Sequence, residues 1–259
     1  KLEAATIMRR KEFDMESRLL LDKIDFEKNV IKIDGVDYKL TDSNFPTVDP
    51  ENPYQLTEDE QIVVDKLHKS FKGSEKLKKH MKCLFANGCV YAVANGNLLY
   101  HASMPLNADG TLKDINIQGE LYHGKALLKK VGALIRSAYF GDADPEVYNF
   151  ALDYIWYLWC GKDSPVFDKD KMATFERYFI EDKCTHKEIK GHYYILRDKP
   201  EICDMILDEF GIEGNFRHII NGHVPVLTIE GENPVKAGGK LMVIDGGFSK
   251  AYQTKTGIA

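Results

Sequence analysis

Two histidines stand where a chain would place metal ligands. His101 follows Asn97-Leu98-Leu99-Tyr100, and His223 follows His218-Ile219-Ile220-Asn221 through Gly222. Imidazole nitrogens suit first-row divalent metals, and a ligand must be rigid yet reachable, which favours strand ends that open into loops. Gly222 lets the backbone turn tightly and leaves the His223 ring at the rim of a sheet. Asp245, after Leu241-Met242-Val243-Ile244 and before Gly246-Gly247, arrives at a third strand end. It could orient a histidine from behind, as could Asn221, or it could be a turn residue that tolerates an Asp-Gly conformation. A single histidine is more often a hydrogen-bonded structural residue than a ligand. His68, His80, His123, His186, His192 and His218 lack comparable placement and are read as surface or core residues.

The elements that must position these side chains can be traced along the chain. Val30 to Leu40 alternates apolar and polar residues around Asp34-Gly35, a hairpin signal. Thr57 and Glu60 form a capping-box pattern ahead of a helix carrying Val63, Val64, Leu67 and Phe71 on one side. A second helix runs from about Ser74 to Phe85 and stops at Asn87-Gly88. A second hairpin, Cys89 to Val93 and Leu98 to His101, turns at Asn95-Gly96, so His101 closes a strand. Gly124 to Phe140 keeps a helical apolar period and stops at Gly141; Asp144-Pro145 opens another helix that ends by Cys160-Gly161.

Beyond this lies a charged stretch, Lys162 to Lys199, and then a short helix from Glu201 to Phe210 stopped by Gly211. Arg217 to Asn221, Val224 to Ile229 and Leu241 to Asp245 read as three short strands. The pattern is α/β (α+β) in class. A small helical and hairpin cap is expected over residues 1–56, and the core over residues 57–259.

Composition narrows the chemistry. The chain has 259 residues, 44% of them apolar, enough to bury a substantial core. A net charge of -5 from interspersed acids and bases argues against a nucleic-acid binder, which needs a basic face to release counterions. The five scattered cysteines, with no C-x-x-C pair, read as reduced thiols of a cytoplasmic protein. No apolar run reaches membrane-spanning length, and no membrane partner is expected. Starting at Lys1 and stopping at Thr256-Gly257-Ile258-Ala259, the chain reads as an excised piece.

At the two histidines a resemblance becomes specific. Asn97 to His101 with Met104-Pro105-Leu106 resembles a His-x-x-x-Pro strand end, and His218 to Val226, HIINGHVPV, resembles the Gly-His-x-Pro element of metallophosphatases. WYLWCGKDSP (Trp156 to Pro165), TFERYFIEDK (Thr174 to Lys183) and GKLMVIDGGFSKAYQTKTGIA (Gly239 to Ala259) are similar to the bacterial class III fructose-1,6-bisphosphatases. The likeness covers the whole chain and places it in the C-terminal portion of such an enzyme.

The resemblance implies a calcineurin-like β-sandwich flanked by helices, only its C-terminal half present, and a two-metal manganese (Mn2+) centre with His101 and His223 among its ligands. It also implies that the upstream Asp-x-His-Gly, Gly-Asp-x-x-Asp-Arg and Gly-Asn-His elements, absent here, supply most ligands and the main catalytic groups. The expected function is thus part of a gluconeogenic fructose-1,6-bisphosphate 1-phosphatase, inactive as this chain alone. Its expected partners are the substrate and the N-terminal half of the same protein, with homo-oligomerisation left open. Arg177, Lys183 and Lys187 are candidates for gripping the second phosphate, Arg177 foremost because its fork suits a phosphate; a solvated charged face with Glu176, Glu181 and Asp182 is the competing reading. Trp156, Tyr157 and Trp159 could stack on a sugar, although helical spacing favours core packing. Another metallophosphoesterase, acting on phosphoproteins or dinucleoside polyphosphates, and a non-catalytic metal-binding or interaction module are the alternatives.

Overall fold

The computed structural model describes residues 1–245 and 249–257. The chain packs as two units, Lys1–Gly88 with Lys171–Glu188, and Cys89–Asp170 with Ile189–Ala259. The units are divided differently from the expected regions 1–56 and 57–259, because the helices after Thr57 group with the N-terminal residues.

The first unit opens with α1 (Ala4–Arg9), then β1 (Ile24–Asp25), β2 (Val30–Ile33) and β3 (Val36–Lys39), and α2 (Glu58–Gly73) and α3 (Glu75–Asn87). The second contains β4 (Tyr91–Ala94), β5 (Asn97–Tyr100), β6 (Ile115–Ile117), β7 (Glu120–Tyr122), α4 (Gly124–Phe140) and α5 (Pro145–Cys160). After α6 (Thr174–Phe179) of the first unit, the second resumes with α7 (His192–Leu196), α8 (Pro200–Glu209), β8 (His218–Asn221), β9 (Val235–Lys236), β10 (Leu241–Val243) and α9 (Lys250–Thr256).

Local chemistry explains most of these boundaries. Asp34 (φ 50°) and Gly35 (φ 81°) occupy left-handed conformations that turn β2 back onto β3, with Ile31 opposite Tyr38. Thr57 accepts a hydrogen bond from the Glu60 backbone N–H while the Glu60 carboxylate accepts one from the Thr57 N–H, so both ends of the capping box hold α2. The apolar row of α2 and that of α3 bury no residue, and Phe71 remains 65% exposed. The first unit's core is instead Leu20, Ile31, Leu40 and Ile180, braced by Phe175 and Phe179. Beside it Arg18 donates to both carboxylate oxygens of Glu176, at 2.7 and 3.0 Å. Burial pushes that carboxyl up, but the Arg18 hydrogen bond and charge outweigh burial and hold it below the usual range.

In the second unit the helix boundaries at Gly124, Phe140, Pro145 and Cys160 fall where the sequence signals put them. Asp144 caps α5 by accepting from the Glu146 N–H at 2.8 Å. Of the three tryptophan-region aromatics, Tyr157 is buried, whereas Trp159 faces outward at 71% exposure. The five-stranded sheet has the order β4-β5-β8-β10-β9. Its outer pairs are antiparallel, and its centre, β5-β8-β10, is parallel, with Ile219 paired to both Leu98 and Leu241. Those three residues are fully buried among Met104, Leu128, Ile206, Leu207 and Val243.

Two expectations need correction. Val224–Ile229 is not a strand: Pro225 has no N–H to give a ladder, and the run ends in the short turn Thr228–Glu230. The strand over Leu241 ends at Val243, two residues before Asp245. The stretch over 162–199 contains α6 and α7, helices too short to show a period.

Candidate metal site at the parallel strand ends

The three parallel strands deliver His101, His223 and Asp245 to one edge, since β5 ends at Tyr100, β8 at Asn221 and β10 at Val243, with Asn221 level with Val243. Ligands commonly sit at the carboxyl ends of parallel strands, where loops diverge. The segments beyond the strands remain tied together: the Gly222 N–H donates to the His101 carbonyl at 2.9 Å, and the Val226 N–H donates to the Asp245 carbonyl at 2.8 Å. A Cβ at Gly222 would meet the Asp245 Cβ at 3.4 Å and the His101 carbonyl at 3.7 Å, ordinary van der Waals contacts, so the three segments lie close together at this position. His223 itself adopts φ 69°, a left-handed conformation uncommon for a residue with a side chain.

The rings meet directly. His101 Nε2 lies 3.1 Å from His223 Nδ1, and the rings cross at 65° with centroids 5.0 Å apart. At that separation one nitrogen donates and the other accepts, so the contact holds a single proton. His223 Nε2 is buried without a hydrogen-bond partner. When Nδ1 is the donor, Nε2 presents a bare lone pair, the form in which imidazole binds a metal. Burial lowers the pKa of both rings; for His223 the His101 ring and Lys169 lower it further, and Asp245 opposes the shift in each. Both rings are therefore held neutral, as ligation requires.

Asn221 hydrogen-bonds to the backbone beside His101 and to a tyrosine, not to either imidazole. Its Nδ2 donates to the Ala102 carbonyl at 2.8 Å and to the Tyr193 hydroxyl at 2.7 Å, and the Tyr100 hydroxyl donates to Tyr193 at 2.7 Å. This buried network clamps the residue after His101 to the end of β8. Asp245 lies against Gly222, while the glycines that follow it fall outside the described residues.

Several neighbours gave no sequence signal. Phe167 meets the His223 ring nearly edge-on at 6.2 Å. Ser103, two residues past His101, donates to the buried carboxylate of Asp168, whose acidity burial weakens to about 6 against that hydrogen bond. The Gly191 N–H donates to the Asp168 carbonyl at 2.8 Å. Arg177, Lys183 and Lys187 belong to the first unit, where Arg177 is paired with Glu188 at 2.9 Å.

The two imidazoles fit a divalent ion as part of a ligand set, through neutral rings and an unpartnered buried Nε2. Among the described residues no group of three or more His, Cys, Asp or Glu side chains is arranged to hold a metal. No described helix is long and apolar enough to cross a membrane.

The chain matches the Firmicute fructose-1,6-bisphosphatase family over residues 1–259. It is 64% identical over 260 residues to a protein of Phocaeicola vulgatus named fructose-1,6-bisphosphatase class 3, 65% identical over 259 residues to the protein of that name from Bacteroides fragilis, and 56% identical to one from Clostridium botulinum. Each match covers 100% of this chain and 39% of the relative, so the chain spans well under half the length of the curated proteins it matches. No solved structure matches it. With the whole chain covered by the family and high identity to its members, the chain belongs to the Firmicute fructose-1,6-bisphosphatase family.

Proposed function

We propose that this chain is part of a cytoplasmic, manganese-dependent fructose-1,6-bisphosphate 1-phosphatase of gluconeogenesis. In this reading its five-stranded sheet belongs to a calcineurin-like sandwich, and His101 and His223 are two of the ligands of a binuclear centre. The observation that carries the reading is the pair itself: two neutral rings in contact at the carboxyl ends of parallel strands, with His223 Nε2 buried and unpartnered. The relatives' names favour the sugar bisphosphate over a phosphoprotein or dinucleoside polyphosphate.

When bound, the metals would polarise a phosphoryl oxygen and supply a nucleophilic hydroxide near neutral pH. The chain's own groups hold and orient. Asn221 and Tyr193 fix the segment after His101, Asp245 packs beside Gly222 ahead of the His223 turn, and Phe167 meets the His223 ring edge-on. Two imidazoles cannot complete a two-metal centre, so the chain alone is inactive and depends on upstream residues of the same protein. Hydrolysis of fructose-1,6-bisphosphate with added manganese tests this. The complete protein should turn over, its His101→Ala and His223→Ala variants should lose at least about 100-fold, and this chain alone should release no phosphate. Full activity of either variant, or turnover by the isolated chain, would refute the reading. Tight binding of two manganese ions to this chain in calorimetry would instead favour a self-contained metal-binding module.

A further inference from the structure

A row of cations runs from the histidine pair. Lys169 Nζ lies 5.5 Å from the centre of the same Phe167 ring that meets His223. Lys169 bridges in antiparallel fashion to Lys190. Lys190 Nζ is 5.9 Å from the Tyr194 ring, and the Arg197 guanidinium is 5.3 Å from that same ring. Arg197 is only 6% exposed, and its Nη1 is buried with no hydrogen-bond partner. Carboxylates are nearby, but they are engaged: Glu232 binds Lys236 at 2.9 Å and accepts from the Leu227 N–H, and Asp198 faces Lys236 at 3.9 Å.

A buried guanidinium with an idle donor is costly unless an anion fills the place. Lys190 shows the same crowding, since burial and then the charges of Arg197 and Lys169 lower its pKa, with Glu232 only partly compensating. Arginine's fork suits phosphate oxygens, and lysines supply point charges around them. A sugar bisphosphate bound through one phosphate at the histidine pair carries its other phosphate away from that pair. We propose that Lys169, Lys190 and Arg197 form the subsite for this distal phosphate, beside the His101–His223 pair. The assignment rests on the bisphosphatase reading. It displaces Arg177, which is held by Glu188 in the other unit.

The test uses the complete phosphatase carrying Lys190→Ala, Lys190→Arg, Arg177→Ala or, as a surface control in α3, Lys78→Ala. Steady-state rates with manganese are measured on fructose-1,6-bisphosphate and on p-nitrophenyl phosphate, which has no second phosphate. Losing one charged contact to phosphate should raise the bisphosphate KM about tenfold or more. The preference for the bisphosphate, as a ratio of kcat/KM values, should fall by the same factor. Lys190→Arg should restore most of it, and Lys78→Ala should match the wild type. An unchanged ratio in Lys190→Ala, or a KM rise confined to Arg177→Ala, would overturn the subsite while leaving the phosphatase reading intact. A wild-type protein that hydrolyses neither ester would overturn both.

Discussion

Asp168→Asn removes a charge that the fold keeps almost entirely from water, and the consequence can be worked out. Asp168 is 4% exposed, and burial raises its carboxyl from an ordinary 3.8 to about 6, opposed by the Ser103 hydrogen bond and reinforced by Asp163. Each pKa unit corresponds to about 1.4 kcal/mol, so ionising this carboxyl inside the fold costs on the order of 3 kcal/mol relative to the unfolded chain. The sign follows from linkage. Between pH 3.8 and about 6 the folded form holds the proton more tightly than the unfolded form, so stability falls as pH rises through that window, and the whole penalty is present above it. Asparagine cannot ionise, yet its amide oxygen can still accept from Ser103. At pH 7.5 the variant should therefore be more stable than the wild type by about 1–3 kcal/mol, and near pH 4 the gain should vanish. Urea unfolding followed by tryptophan fluorescence measures this, because Trp156 and Trp159 both lie in the second unit, with Asp168. Equal destabilisation of Asp168→Asn at both pH values would refute the reasoning and mean that the site depends on the anion.

Other consequences are equally direct. Gly191→Ala would place a methyl group 2.0 Å from Asp168 Oδ1, so it should destabilise the second unit by about 2 kcal/mol or more, seen as a lowered urea midpoint; an unchanged midpoint would mean that the carboxylate moves aside freely. Tyr193→Phe deletes the hydroxyl that accepts from Tyr100 and Asn221, leaving two buried donors and costing about 1–3 kcal/mol in the same assay, with retained stability counting against the clamp. The ring titrations of His101 and His223, read by NMR, should have midpoints below 6.5. Because the fold resists protonating them, stability is lost as pH falls below 6.5 through the depressed values, and a midpoint above 6.5 for either ring would contradict their shared burial.

What the sequence revealed follows from the range of the forces involved. The Asn95-Gly96 turn, the Thr57 capping box and the ends of α4 and α5 are set within a few residues, by left-handed backbone, cap hydrogen bonds and glycine stops, and they stand where those signals put them. His101 and His223 could be marked as strand-end residues for the same reason. Their convergence came from the family resemblance alone and not from spacing, because it depends on β5 and β8 lying side by side. The Ser103–Asp168 bond and the Lys169–Lys190–Arg197 row were invisible because they join loops and very short helices with no periodicity. Val224–Ile229 misled because apolar content was weighed without the missing N–H of Pro225.

The parallel seam also sets the order in which the protein can assemble. Hairpins such as β4-β5 close within a few residues, on a scale of about 1–10 μs. The imidazoles, by contrast, are 122 positions apart along the chain and meet only after a long loop has closed at an entropic cost. Under the proposed metal role, an ion arriving before that closure would meet separate imidazoles, each a weak monodentate trap, and could not template the fold. Fraying of the β5-β8 pairing would separate both rings at once, so the imidazole contact reports on the integrity of that one seam.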